Sequence, residues 1–229
     1  MTKVIKVGGV LLEDPQKAVH AIRGVQTDRA AVVHGGGLQI TRMLERMDVK
    51  SVFIEGLRVT DENTLAAVAA ALLGEVHAAL VRELRRQGLP AVGMFGAVQA
   101  SKKEGPWGLV GTNVHANAAA LTALLNGGHM PVVPTLALGD DSLLNVNGDE
   151  TAAAVAVALQ CRELVFLTDV AGVKNADGTV IEKLSRPDEL LTASFVTGGM
   201  IPKLRAVKAA MDGGIEVVRV GRTIFGEAS

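Results

Sequence analysis

The chain has no tyrosine, one tryptophan, five phenylalanines and a single cysteine among its 229 residues. So few aromatic side chains exclude a base-stacking platform or a tyrosine-rich recognition surface. Cys161 has no partner for an internal disulfide, and its place after an apolar helix reads as a buried structural thiol in a cytoplasmic protein. Net charge is also scarce: 23 Lys+Arg meet 24 Asp+Glu and leave −1. That removes the basic footprint of a nucleic-acid binder. Residues 105–139 carry no Asp, Glu, Lys or Arg, yet Asn113, His115, Asn117, Asn126, the Gly127-Gly128 pair, Pro131 and Pro134 break them. A bilayer span needs roughly 20 mostly apolar residues; this stretch reads instead as a buried helix followed by a buried strand, with no membrane partner.

Several motifs are absent too. The chain contains no G-x-G-x-x-G, no G-x-x-x-x-G-K-[ST] and no G-x-S-x-G, which argues against a dinucleotide dehydrogenase, a P-loop NTPase and a serine hydrolase. No His/Cys/Asp/Glu cluster has metal-ligand spacing, so no protein-held metal is expected.

What is present is an alternation of apolar runs and glycine turns. Val4, Ile5 and Val7 lead into Gly8-Gly9, after which Asp14 and Pro15 supply an N-cap and first-turn proline for a helix. Ala30, Ala31, Val32 and Val33 lead into His34-Gly35-Gly36-Gly37 and a helix to about Met47. Strand, glycine turn and helix twice in succession are the rhythm of a parallel sheet with crossover helices. Further helices are expected over 62–73, capped by Thr60 or Asp61, and over 75–87. A flap is expected over 96–111, and later helices over 116–125, 149–159 and 203–211. Strands fit 90–94, 130–134, 164–167 and 216–220. The fold class is α/β, a three-layer α/β/α sandwich with a largely parallel central sheet.

Certain residues stand out chemically. The glycine clusters end adjacent strands, where ligands bind in open α/β folds; each is a plain turn or an anion cradle. Lys6 interrupts a buried strand and needs a partner or a frayed edge. Arg58 is placed either in solvent or as a bidentate carboxylate clamp. Asn145, Asn147 and Asp149 share one face if extended, although Asp149 reads equally well as a helix N-cap. Lys203 begins a helix after Gly198-Gly199, solvated or facing an anion. No histidine has an orienting acid nearby in sequence, and His34 reads as part of its glycine turn. A reaction whose nucleophile is already ionised needs no such histidine, and phosphoryl transfer to a carboxylate is one.

On these segments the chain resembles the amino-acid kinase family: Lys6-Val7-Gly8-Gly9-Val10-Leu11-Leu12, Val33-His34-Gly35-Gly36-Gly37, Gly56-Leu57-Arg58-Val59-Thr60, Asn145-Val146-Asn147-Gly148-Asp149, Leu167-Thr168-Asp169-Val170-Ala171-Gly172-Val173 and Gly198-Gly199-Met200-Ile201-Pro202-Lys203. They run in family order, and Gly56-Leu57-Arg58-Val59-Thr60 is most particular to its acetylglutamate branch. The resemblance implies ATP-dependent phosphorylation of the side-chain carboxylate of N-acetyl-L-glutamate in arginine biosynthesis. By it, Lys6 and Lys203 stabilise the transferring phosphoryl group and Asp149 holds both. Gly8, Gly9 and Gly36 offer N–H groups to phosphates; Gly35, Arg58 and Asn145 bind the acetylated amino acid. Thr168, Asp169 and Met200 line the nucleotide site, with Mg²⁺ held mainly by the ATP phosphates.

The same resemblance divides the chain into a substrate and dimerisation lobe, 1–160, and an ATP lobe, 161–229. Lys102 and Lys103 in the flap leave open a carrier-protein-linked aminoadipate or glutamate acceptor. A non-catalytic ligand sensor is opposed by Lys6, Asp149 and Lys203. Departures from the family pattern include His77 for Asn, Gly148 for Ala and a short flap. No closing strand is expected after Gly221-Arg222-Thr223. Strand one opens the chain directly, from which a homodimer insensitive to arginine is expected.

Overall fold

The computed structural model describes residues 1–227. Its first strand, β1 (Lys3–Val7), is followed by a 3₁₀ turn, Leu11–Glu13, then α1 (Pro15–Val25), β2 (Ala30–His34) and α2 (Gly37–Arg46). A short hairpin, β3 (Phe53–Ile54) and β4 (Leu57–Arg58), precedes α3 (Glu62–Ala69), a π-helical segment Ala70–His77 and α4 (Ala78–Arg86). Next come β5 (Ala91–Gly93), β6 (Val98–Lys102), β7 (Gly111–Ala116), α5 (Ala118–Asn126), β8 (Met130–Pro134), β9 (Leu136–Leu138) and β10 (Leu143–Asn145). The chain continues through α6 (Gly148–Ala158), β11 (Glu163–Leu167), β12 (Lys183–Leu184), α7 (Asp188–Leu191), α8 (Met200–Asp212), β13 (Val217–Val220) and β14 (Thr223–Gly226).

Eight strands form one sheet in the order β12-β14-β13-β11-β1-β2-β8-β5, with every pairing parallel except β13 with β14. β1 therefore lies in the interior of the sheet, not at an edge. Its side chains alternate between two cores, as a strand requires. Ile5 and Val7 pack with Val19 and Ile22 of α1 and Leu80 and Leu84 of α4; Val4 packs on the opposite side with residues of α6 and α8. Burying each such aliphatic side chain contributes roughly 1.5–3 kcal/mol. Lys6 shares the face of Val4, which turns it toward α6.

A second sheet, β10-β9-β6-β7, is entered directly from the carboxyl end of β8. The predicted turn chemistry at α1 holds: Asp14 accepts from the Gln16 and Lys17 N–H groups, with Pro15 beginning the helix. Three other expectations need correction. The helices expected over 62–73 and 75–87 are one helical run, Glu62–Arg86, because Gly74 inside a helix costs only about 1 kcal/mol against alanine. An 18-residue stretch of that run has mean hydropathy 1.8, so by length and composition alone it could cross a membrane. Its stripe of Val68, Ala71, Leu72, Val76, Leu80 and Leu84 nevertheless sits in the protein core. The second correction concerns 145–149: β10 ends at Asn145 and α6 starts at Gly148, so Asn145, Asn147 and Asp149 do not line one extended face. Finally, a closing strand does exist, since β14 pairs antiparallel with β13.

Candidate active site

The carboxyl ends of β1, β2 and β11 and the first turns of α2, α6 and α8 meet at one edge of the large sheet. Lys6 reaches from β1 to Asp149, its Nζ 2.7 Å from Oδ1 as an ion pair that is not aligned as a hydrogen bond. Lys203, in the first turn of α8, donates to the other oxygen, Oδ2, at 2.9 Å. It also lies over the Phe166 ring, 5.1 Å from its centroid. All three charged side chains are largely buried. Burial disfavours the Asp149 carboxylate, but Lys6 and Lys203 together outweigh it and hold Asp149 below the usual carboxylate range. Burial likewise pulls Lys203 below the ordinary lysine value, against the attraction of Asp149. Two cations share one anion, so the cluster keeps a positive charge for a ligand.

Asp149 is free for this role because it does not cap its helix. Asn147 is the N-cap instead, accepting from the N–H groups of Asp149 at 2.9 Å and Glu150 at 3.1 Å. Gly148 lies between them, and a methyl there would come within 3.3 Å of Lys6 Cε.

The two glycine turns adjoin: a methyl on Gly9 would lie 3.7 Å from the Gly37 nitrogen. They are not equivalent. The Gly8 N–H is donated to the Leu167 carbonyl at 3.0 Å, extending the β1–β11 ladder. The N–H groups of Gly9 and Gly36 have no acceptor among the described residues. Helices α2 and α8 both start on glycine, Gly36 and Gly199, without a side-chain cap. An open helix N-terminus can bind an anion, and that of α8 carries Lys203 in its first turn.

Arg58 stands apart from that cluster. The β3–β4 hairpin turns through Glu55 and Gly56, with φ of 52° and 78°, the left-handed pair a two-residue hairpin loop demands. This places Arg58, 7% exposed, against α2. Its Nη2 donates to Thr41 Oγ1 at 2.9 Å and to the Gly37 carbonyl at 3.2 Å, its Nη1 donates to Ser51 Oγ, and Phe53 stacks on the guanidinium. Burial lowers its pKa from the ordinary arginine value. All these partners are neutral, and among the described residues no acid pairs with this buried cation. Asn145 is tied to the same region: its Nδ2 donates to Thr60 Oγ1 at 3.1 Å, and Thr60 Oγ1 donates to the Arg58 carbonyl at 2.8 Å. Gly35 lies beside Thr135 at the end of β2. Thr168 donates to Asp169 Oδ1 at 3.2 Å beyond β11, and Met200 opens α8 three residues before Lys203.

The model of the amino acid kinase family matches residues 1–220. The chain belongs to the amino acid kinase family. Among its relatives, the acetylglutamate kinase of Rubrobacter xylanophilus is 42% identical, covering 96% of this chain and 90% of that protein. That of Acidobacterium capsulatum is 39% identical over the same shares. The crystal structure of smu.665 from Streptococcus mutans superposes with a TM-score of 0.84 at 28% identity, covering 98% of both chains.

Some contacts around this edge are not settled by a reading of sequence. Asp61, not Thr60, caps α3, by accepting from the Thr64 N–H at 2.7 Å; Thr60 is left to join Arg58 to Asn145. Phe166 reads only as a strand residue. His34 and His77, 43 positions apart, touch through their rings at 2.8 Å, a contact no local pattern announces. Cys161 is buried as expected.

Proposed function

We propose that this chain transfers the γ-phosphoryl group of ATP to the side-chain carboxylate of N-acetyl-L-glutamate, giving an acyl phosphate for arginine biosynthesis. The observation that carries the reading is Asp149, whose two oxygens each meet a lysine, one of them on the strand that runs into Gly8-Gly9. In such a transfer the nucleophile is already an anion, so positioning and charge neutralisation do the work. Lys6 and Lys203 neutralise the transferring group, and Asp149 fixes both. Gly9 and Gly36 donate to phosphate oxygens, while the Gly8 amide serves the sheet. Arg58 pairs with the α-carboxylate of the acetylated amino acid, with Asn145 and Gly35 beside it.

The nucleotide fits the open N-terminus of α8, with Thr168, Asp169 and Met200 at its edge. Mg²⁺ falls to the ATP phosphates, because both oxygens of Asp149 are already taken; it would help neutralise phosphate charge. In this reading residues 1–160 hold the amino acid and 161–229 the nucleotide, in a cytoplasmic homodimer. A face of small exposed residues on the Glu62–Arg86 helix, Ala66, Ala70, Gly74 and Ala78, suits such pairing.

Trapping the product with hydroxylamine tests the reaction. Purified enzyme with ATP, Mg²⁺ and free N-acetylglutamate should yield the side-chain hydroxamate. Hydroxamate formed only from a carrier-bound acceptor, or none with any acidic amino-acid derivative, would contradict it.

A further inference from the structure

Two histidines to which the proposed reaction gives no role lie against the second glycine turn. His34 ends β2 with its ring wholly buried, and its Nδ1 is 2.9 Å from the Gly35 carbonyl oxygen. A carbonyl only accepts, so Nδ1 carries the proton and Nε2 of the neutral ring is an acceptor. His77 Nδ1, 2.8 Å from that Nε2, must therefore donate. Burial keeps both rings neutral, pulling His34 down to about 3 and His77 below its ordinary value. The hydrogen bonds run in one direction, from His77 through His34 to Gly35.

The consequence falls on the next peptide. In a planar trans peptide the C=O and N–H point opposite ways. Holding the Gly35 carbonyl toward His34 therefore turns the Gly36 N–H away from it. The same π-helical segment that carries His77 also seats Gly36: a methyl there would lie 2.9 Å from Leu72 Cδ2 and 3.2 Å from Val76 Cγ2. On its other side the His77 ring is walled by β5, where a methyl on Gly93 would meet Nε2 at 2.4 Å.

We propose that His77, acting through His34, is a positioning residue that aims the Gly36 N–H at the transferring phosphoryl group. This rests on the role given to Gly36 above. Alanine at 77 removes the donor and leaves His34 Nε2 buried without a partner. Asparagine restores an N–H close to where Nδ1 was.

The test combines kinetics with the ¹⁵N–¹H resonance of Gly36. His77→Ala should lower kcat about tenfold, less than the 10²–10³ of deleting a transition-state donor outright, with KM for N-acetylglutamate nearly unchanged. His77→Asn should recover most of kcat. Gly93→Ala, which presses the ring from outside and touches no ligand, should lower kcat in the same direction. The Gly36 resonance should move in His77→Ala and return in His77→Asn. Wild-type kcat with an unmoved resonance in His77→Ala would overturn the inference, as would an Asn variant as impaired as Ala. If His77→Ala does not fold, the Asn and Gly93 variants decide: near-wild-type kcat in the first and a loss in the second support it, and any other pairing overturns it. A resonance that moves and returns in an enzyme inactive on N-acetylglutamate would sink the proposed reaction and leave the positioning role standing.

Discussion

The site holds two buried clusters of positive charge built on opposite plans. Lys6 and Lys203 share an acid, Asp149, at 2.7 and 2.9 Å; Arg58 has none among the described residues, and its neighbours Ser51, Thr41 and Gly37 are neutral. A shared acid fixes two ammonium groups before any ligand arrives, which is what transition-state stabilisation requires. A buried guanidinium with only neutral acceptors is incomplete until an anion binds. In the proposed reading, the first region serves the reacting phosphoryl group and the second serves recognition.

Asp149→Asn should break the first region most severely. It leaves two buried cations without their counter-charge, at about 3–5 kcal/mol; chemical denaturation should show that loss together with a collapse of kcat. Lys6→Ala and Lys203→Ala come next, each lowering kcat by about 10²–10³ with smaller changes in KM, measured by steady-state kinetics. Arg58→Ala should act on recognition instead, raising KM for the acceptor about thirtyfold, the equivalent of about 2 kcal/mol for a hydrogen bond to a charged group. An equal loss of kcat in Arg58→Ala would erase the distinction.

Acid should weaken the fold gradually. His34 has its pKa lowered from 6.5 to about 3 by burial, so between those values the unfolded chain takes up a proton that the folded one refuses. Stability therefore falls as pH falls through that window, by up to about 1.4 kcal/mol per unit. Asp149, held below the usual range, adds to the loss only at the acidic end. Denaturant melts of wild type and His34→Gln from pH 7 to pH 4 should show a shallower slope in the variant. The smallest effect belongs to Gly148→Ala, whose methyl would stand 3.3 Å from Lys6 Cε. It should lower kcat slightly by crowding Lys6 and Thr135 Cγ2, also at 3.3 Å, as steady-state kinetics would show.

Part of the paired region was legible in the sequence: a lysine inside an apolar strand needs a partner, which proves to be Asp149, the acid the family resemblance named. Its details were not. Asn147 took the cap and freed Asp149, because strand β10 stops at Asn145 and the alternation stops with it. The Gly8 amide went to the sheet, since the β1 side of the ladder runs one hydrogen bond past Val7, to the carbonyl of Leu167 at the end of β11. Around Arg58 less could be read. The position of Arg58 in the motif was evident, but the absence of an acid beside it is a tertiary fact, as are the Thr60 bridge and the His34–His77 contact. The join across Gly74 was hidden for another reason: local propensity marks a break that packing of the flanking stripe overrides.

Calorimetric binding of N-acetylglutamate to wild type, Arg58→Ala and Lys203→Ala tests this division most directly. The account predicts that Arg58→Ala weakens Kd by about thirtyfold, while Lys203→Ala binds nearly as tightly as wild type. Equal weakening in both variants, or tighter dependence on Lys203 than on Arg58, would contradict it.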